Sequence, residues 1–541
     1  MQRRILISLL LSFLVLYVWS ILNRKILNED IFSMAGPTNN NHNKINNVIG
    51  SFYEGKYNRE NRRNLAEAEK IVETESLIII FSNLGGSIKN VNIKNYNINI
   101  PIDKITNMNI YDLVEFKLEY ADEKKVIYKY RDDDFEVKNT YNLNFDKYII
   151  NKNVSLKNIS NSDRNFNFEF NIFNINMSNL ENNELLKNTV NNQDKNLYEY
   201  VIKSNNNFLR KNNAFKFSSK ENKIEKSNVD WIGFRDRYYC AIIKPEFDVN
   251  QYNIKYIDSK NLSMAVQPED VFFSKDNEKI FSFVIFVGPE EIDILKNYKL
   301  GFDKIKRFYR IGFFDLIAKA IYKLMHFVYK ISNNWGISII TVSTIIFFSM
   351  YPLTLRGMAS MKKMQTLQPQ ISIIKIKYNN NPQKMNEEML KLYKNHSINP
   401  IGGCLPFILQ MPIFIGLYQV LWRSVSFNGA KFLWIKDLSK PDQIFILPNS
   451  LPLIGNEINI LPILMMIVMF IQQKISARNI VVTDPAYQSQ QKIMTVIMPI
   501  FLGFIFYKFA SGLTLYFTTF YIFSTFTQWY VMNKNKLISN G

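Results

Sequence analysis

The chain has 541 residues, 47 % of them hydrophobic and 14 % aromatic, and a formal charge of +19. That length leaves room for two or three domains, and the basic excess fits either a membrane surface or a nucleic acid. His42, His326 and His396 show no metal-ligand spacing and Cys240 and Cys404 no disulfide framework, which disfavours a zinc site, a Cys/His nucleophile and a bridged secreted scaffold. Asn, Lys and Ile are abundant throughout, so where the charges sit carries more information than their sum. Several uncharged runs approach the roughly 20 residues that cross a bilayer, and these favour the membrane.

The chain opens MQRR, followed by an apolar run at 5–22 with Trp19 near its far end. Arg3 and Arg4 mark a cytoplasmic start. The nearest small-x-small string, Ser33-Met34-Ala35, lies too far downstream for cleavage, so residues 1–23 are expected to form an uncleaved anchor. Residues 24–75 are polar and Asn-rich and are expected to be a flexible linker.

From 76 to 300 the pattern is β. VEFKLEY at 114–120 and FNFEFNI at 166–172 alternate with period two, and the apolar run 280–287 suits a strand buried on both faces. Many short strands without intervening helices predict an antiparallel β-sandwich, placed outside the inner membrane by the preceding anchor. Residues 301–335 contain an amphipathic helix. Phe313, Leu316, Ile317, Ile321, Leu324, Phe327 and Ile331 line one face and Lys319, Lys323, His326 and Lys330 the other, as in a helix lying along a membrane interface.

Residues 336–533 hold five further apolar runs, at 336–355, 404–425, 458–473, 493–507 and 512–532. With the anchor they predict a polytopic α-helical membrane protein of six transmembrane helices, with both termini cytoplasmic and the large domain periplasmic. The short fourth and fifth of the six spans, 458–473 and 493–507, fit a locally thinned bilayer. The loop 356–403 carries eight Lys or Arg against Glu387 and Glu388, which marks it as cytoplasmic. Within it, residues 356–398 predict a helical hairpin. Met358, Met361, Met364 and Leu367 recur at helical spacing, Asn381-Pro382 starts the second helix, and Glu387 and Lys391 are spaced to pair. The Met face serves either packing between the helices or soft binding. Residues 534–541 are expected to form a short cytoplasmic tail with Lys534 and Lys536.

The stretch NPIGGCLPFILQMPIFIGLY at 399–418 combines Gly402-Gly403, two prolines (Pro406, Pro412) and Gln410 inside one apolar run. Proline frees backbone carbonyls that neighbouring helices or water must satisfy, which points to a bundle with a partly polar interior. No Asp or Glu lies within the last five cores, which weighs against proton- and ion-coupled transport. The polar groups there are Thr341, Ser343, Thr344, Gln410, Gln419, Thr495, Thr514, Thr518, Thr519 and Gln528. They fit interhelical hydrogen bonds and a cavity hydrated from one side equally well. There is no phosphate loop, nucleophile elbow or paired-carboxylate pattern, so no catalytic residue, cofactor or metal is assigned.

The strings NWGIS at 334–338, YPLT at 351–354, LQP at 367–369, NPIGGC at 399–404, QMPIF at 410–414, TDP at 483–485, QKIM at 491–494 and SGL at 511–513 resemble, in order and spacing, the YidC/Oxa/Alb family of membrane protein insertases. The β-rich segment after the first span resembles the periplasmic domain of the Gram-negative, six-span form, with 231–245 the most similar stretch. The resemblance implies a membrane protein insertase and folding chaperone, not an enzyme. A hydrophilic inner-leaflet groove would receive nascent transmembrane segments and release them into lipid, alone or beside the Sec translocon. Implied partners are nascent membrane proteins, the Sec translocon, the ribosome and signal recognition particle pathway, and the lipid bilayer, with no nucleic acid. A substrate-specific transporter is the alternative.

On this resemblance the groove residues are Ser343, Thr344, Phe347, Gln410, Gln419, Thr514, Tyr516, Phe517 and Thr518. The hairpin contacts are Met361, Lys362, Met364, Met385, Met389 and Lys391. Two positions depart from the family pattern. Phe347 stands where the family usually has an Arg, and Phe517 follows Tyr516 where it often has a second Tyr. The groove is therefore expected to depend on hydroxyls, amides and membrane thinning instead of a buried cation. The short tail leaves any ribosome contact to the inner loops.

Overall fold

The computed structural model describes residues 67–94, 98–99, 102–143, 147–176, 198–205, 207–212, 223–257, 261–269, 271–397, 405–451, 455–477 and 493–539. The expected anchor at 1–23 and most of the linker lie outside them. The chain divides into two compact units, one of residues 58–307 with Arg423–Val425 and one holding the remainder.

Among the described residues the first unit holds two nine-stranded antiparallel sheets, as the sandwich expectation requires. One runs from Glu69–Glu73 through Leu77–Ser82, Ser87–Ile93, Ile102–Met108, Phe170–Asn176, Asn261–Pro268 and Val249–Tyr256 to Lys223–Lys226. The other is centred on Glu278–Pro289, which pairs with Tyr239–Pro245 on one side and Ile149–Asn158 on the other. Because Glu69–Glu73 pairs with Leu77–Ser82, the sheet takes in residues that the sequence assigns to the linker. Period-two burial is clear in Phe135–Asn142, where Phe135, Val137, Asn139 and Tyr141 point inward. The second half of Glu278–Pro289 is buried on both faces. Helix α1 (Ile292–Asn297) and the 3-10 turn Phe302–Ile305 follow it. Phe302 lies against Trp231 and Phe286, and a Cβ on Gly233 would meet Ile305 at 2.6 Å. The first residues of the expected interfacial element thus complete the sandwich.

Three polar side chains cross between the sheets. The Asn139 amide donates to Gly85 O and Gly86 O, both at 3.1 Å, and the Tyr141 hydroxyl donates to Gly86 O at 2.8 Å. The Lys152 amine donates to Thr106 O and lies 5.0 Å above the Tyr141 ring. Gly86 is required by this close approach, since its φ is +52° and a Cβ would sit 2.8 Å from Tyr128. At one end of the unit, the buried Arg235 pairs with Glu290 at 3.0 Å and Glu199 at 3.2 Å and donates to Ile305 O and Arg307 O. Lys306 donates to Glu290 O. This network holds the segment 302–307 against the sheet, and removing one partner would leave a charge buried alone, at a cost of about 3–5 kcal/mol.

In the second unit α2 (Gly312–Ser332) buries Asp315, Ala318, Ile321, Tyr322 and Met325. Asp315 accepts from Phe308 N and Tyr309 N, and Asn333, with φ of +50°, ends the helix. Leu316, Phe327 and Ile331 remain exposed. Next come α3 (Trp335–Thr366, with Pro352 inside it), α4 (Gln368–Lys377), α5 (Pro382–Asn395), α6 (Leu405–Arg423, with Pro412 inside it) and α7 (Ile460–Ala477). A π-turn at Ile493–Ile497 leads into α8 (Met498–Phe506), and α9 (Ser511–Ser539) closes the unit. Helix α3 runs unbroken past 356, so the expected hairpin begins inside it. Among the described residues one helix, at Trp335–Gly357, is long and apolar enough to cross a membrane by length and composition, and Ile460–Ser476 and Thr495–Phe506 are shorter apolar helices. Gln472 bonds Ser524 and Gln528 bonds Ser476, so α7 and α9 run parallel.

Burial pulls the Lys152 amine from 10.5 down to about 7. Between those values the unfolded chain binds more protons than the folded one, so stability rises with pH across this window, while below pH 7 the full cost of burying the charge is present. Unfolding of the full chain, followed through aromatic fluorescence between pH 7 and 9, is expected to show a gain of up to about 1.4 kcal/mol per pH unit. Lys152→Met should lose that slope whatever its absolute stability. Parallel profiles for the two proteins would contradict the assignment.

Candidate functional site

The expected groove residues fall on three helices that meet in the second unit. On α3, Ser343 is fully buried and its hydroxyl donates to Ile339 O at 2.6 Å, and Thr344 donates to Ile340 O at 2.8 Å. One turn further on, Phe347 is 1 % exposed. Its ring lies 5.5 Å from Phe520 and 5.8 Å from Phe523, both on α9. Aromatic packing thus fills the place of the expected departure from a cation.

Helix α6 supplies the amides. Pro412 has no N–H and cannot close the bond to the carbonyl one turn before it, which loosens the helix beside Gln410. Gln410 Nε2 donates to the Tyr516 hydroxyl on α9 at 2.5 Å. Tyr516 is fully buried. Phe517 beside it meets Phe414 of α6 at 5.5 Å and Phe506 of α8 at 4.9 Å. The structure therefore gathers Phe347, Gln410, Tyr516 and Phe517 around α9. Gln419 lies more than two turns along α6. The oxygen ends of both amides, Gln410 Oε1 and Gln419 Oε1, are buried and find no hydrogen-bond partner among the described residues.

The hydroxyls do not form a free polar lining. Thr514, Thr518 and Thr519 on α9 are buried and donate to Ala510 O, Thr514 O and Leu515 O, each one turn back. Bonds of this kind satisfy the hydroxyl inside its own helix and leave only its lone pairs to a visitor. Of the two uses that the sequence left open, these hydroxyls serve neither interhelical bonding nor donation into a cavity. The sequence names Gln410 and Gln528 for interhelical bonding but not their partners, nor the tie made by Gln472. Gln472 Nε2 donates to Ser524 Oγ at 2.7 Å, and Gln528 Nε2 donates to Ser476 Oγ at 2.5 Å. The available signal was the matched spacing, Gln472-x-x-x-Ser476 against Ser524-x-x-x-Gln528.

The hairpin residues form a separate cluster. Leu367 and Ile371 are buried against Met364, Met389, Leu392 and Tyr393, so Met364 and Leu367 of the expected Met face serve packing between the helices. Asn381 accepts from Lys384 N at 3.1 Å and caps α5. Met385 is half-buried, and the exposed Lys391 lies 2.9 Å from both Glu387 and Glu388, which raises its pKa. Met361 and Lys362 lie in the helical backbone of α3, their side chains outside the described residues. No cluster of three or more potential metal ligands occurs among the described residues.

Two families match consecutive stretches of the chain. The YidC periplasmic domain family matches residues 99–324 and the 60Kd inner membrane protein family residues 327–538. A membrane protein insertase YidC of Endomicrobium trichonymphae is 34 % identical over 325 residues, 59 % of each chain. One of Rickettsia prowazekii (strain Madrid E) is 36 % identical over 330 residues, 58 % of this chain and 57 % of that one. The alignments thus span less than two thirds of these relatives. A crystal structure of an active YidC insertase with its first transmembrane domain resolved is 17 % identical and covers 86 % of this chain and 93 % of that one, with a TM-score of 0.39.

The Gln410–Tyr516 bond gives a direct expectation. In a double-mutant cycle of Gln410→Leu and Tyr516→Phe, read by reversible unfolding in bicelles, the two changes should be non-additive by about 0.6–1.7 kcal/mol. Additive losses would show that the pair does not couple α6 to α9.

Proposed function

The chain belongs to the YidC family, and from that premise we propose that it is a membrane protein insertase and folding chaperone of the bacterial inner membrane. It receives nascent transmembrane segments and releases them into lipid. It makes and breaks no covalent bond and needs no cofactor. The observation that carries this reading is the junction of α6 and α9: a proline-loosened apolar helix, an amide held by a buried tyrosine, and a second amide oxygen left open. A passive anchor has no use for such groups in hydrocarbon, where each unsatisfied polar atom costs several kcal/mol.

The proposed topology has six spans. Residues 5–22 form the first and α3, α6, α7, the 493–507 segment and α9 the others, with the β-sandwich in the periplasm, the α4–α5 hairpin in the cytoplasm and both termini cytoplasmic. Helix α2, with Leu316, Phe327 and Ile331 exposed, lies along the interface. The proposed domain limits are those of the sequence, with the sandwich extended to Glu69 at its start and to Arg307 at its end.

The mechanism follows from what each side chain has left to offer. Gln410 Oε1 and Gln419 Oε1 can each accept one hydrogen bond from the backbone or polar flank of an arriving segment. That lowers the cost of taking the flank out of water. The half-buried rings of Phe517, Phe520 and Phe523, backed by the buried Phe347, face the apolar part of the same segment. Binding there is weak by construction, because the segment loses nothing by exchanging rings for lipid tails, and the bulk bilayer drives release. With Phe347 in place of a cation, an acidic flank gains no ion pair in this wall. The nascent chain reaches the junction from the cytoplasm, beside the Sec translocon or without it, delivered by the ribosome and signal recognition particle pathway.

Depletion of the protein, followed by quantitative proteomics of newly made inner-membrane proteins, should lower several single- and double-span proteins together within one doubling. An unchanged membrane proteome with loss of a single solute flux would replace this reading with a transporter.

A further inference from the structure

Between α6 and α7 the backbone makes a two-residue hairpin. Phe432 N bonds Ile435 O at 2.9 Å and Ile435 N bonds Phe432 O at 2.8 Å, leaving Leu433 and Trp434 at the tip. Tips of this kind favour Asn or Gly, because the first residue takes a left-handed conformation. Here that residue is Leu433, at φ of +51°, a strained choice for a branched apolar side chain. The strain yields no burial. Leu433 is 75 % exposed and Trp434 39 % exposed. Lys431 and Lys436 flank the tip and are exposed as well.

The base of the hairpin is held rigidly at the ends of the apolar helices. A Cβ on Gly336, in the first turn of α3, would lie 2.0 Å from the Phe432 ring, so the ring rests on the bare helix backbone. Leu438 O and Lys440 O accept from Gly512 N and Ser511 N at the start of α9. The Asp442 carboxylate accepts from Ile460 N and Leu461 N, both at 2.9 Å, and caps α7. Three helix N-termini therefore meet this segment at one level, the level at which each helix passes from polar loop into its apolar run.

We propose that the Leu433–Trp434 tip is a membrane anchor that inserts into the outer leaflet, with Lys431 and Lys436 against the phosphates of net-anionic phospholipids. The inference rests on the spanning topology above. A leucine and a tryptophan raised on a strained turn between two lysines match a bilayer interface in both charge and polarity, since Trp belongs at the headgroup level and Lys just outside it. Fixed to α3, α7 and α9, the wedge sets the depth of the outer ends of these helices. It would hold the outer leaflet down around short helices such as α7 and α8, where the bilayer has to thin.

The test uses the full-length protein in vesicles, with the two native cysteines replaced by alanine and an environment-sensitive NBD label on Leu433→Cys. A second protein carries the label on Ile345→Cys, midway along α3 and 42 % exposed. In phosphatidylethanolamine/phosphatidylglycerol vesicles the label at 433 should emit blue-shifted light and be quenched at least twofold more by shallow nitroxide lipids than by aqueous iodide. In pure phosphatidylcholine, or with Lys431→Glu and Lys436→Glu, the lipid quenching should fall by at least half. If the label at 345 is quenched by lipid while that at 433 is quenched by iodide, the tip faces water or a protein partner and this inference is overturned with the topology intact. If neither label sees lipid, the spanning topology fails and the inference with it. Equal quenching in all lipids would overturn the phosphate contacts.

Discussion

A polar atom withdrawn from water has to find a partner inside the chain, and both units of this protein are arranged around that demand. In the β-sandwich, Asn139, Tyr141 and Lys152 leave one sheet to bond backbone carbonyls of the other, which fixes the sheets in one register. In the helical unit the same demand is met at short range. Ser343, Thr344, Thr518 and Thr519 turn back to their own helices, and among the described residues it is amides and Tyr516 that reach across to a neighbour. The scarcity of such ties is itself informative. Each is worth about 0.6–1.7 kcal/mol, so α6, held to α9 by the Gln410–Tyr516 bond and the Phe414–Phe517 ring contact, can part from it at modest cost.

That balance shapes the proposed mechanism. A junction fastened by many hydrogen bonds or by an ion pair would resist a visiting helix, and one with no polar group would do nothing for a polar flank. Gln410 lies between these extremes: its nitrogen end is committed to Tyr516, while its oxygen end has no partner among the described residues. Phe347, packed on Phe520 and Phe523, places rings and no charge at this point of the junction.

Much of this was legible in the sequence, for identifiable reasons. The period-two strands, the Asn381 cap, the Met-faced hairpin and the proline-bearing α6 all express local rules that burial did not override. What escaped notice required knowing what lay opposite. Lys152 occupies an inward position between Ile150 and Val154, and residue type pointed outward while register pointed inward; register won because Thr106 O was waiting there. Phe302 and Ile305 looked like the start of a membrane-surface element, yet Gly233 and Trp231 offered them a closer apolar surface. For Thr514 and Thr518 the sequence names two donors without showing that Ala510 O and Thr514 O already use them. The Gln472–Ser524 and Gln528–Ser476 ties and the Leu433 tip depend on neighbours distant in the chain.

The central claim is that an arriving segment sits against α6 and α9. It is tested most directly by placing a photoreactive phenylalanine analogue at single positions during translation of a single-span substrate on stalled ribosomes. Crosslinks to the substrate's apolar segment should arise from position 517, and crosslinks to its polar flank from position 410. Position 325, on the buried face of α2, should give at least tenfold less. Equal crosslinking from all three positions, or none from 410 and 517, would contradict the account.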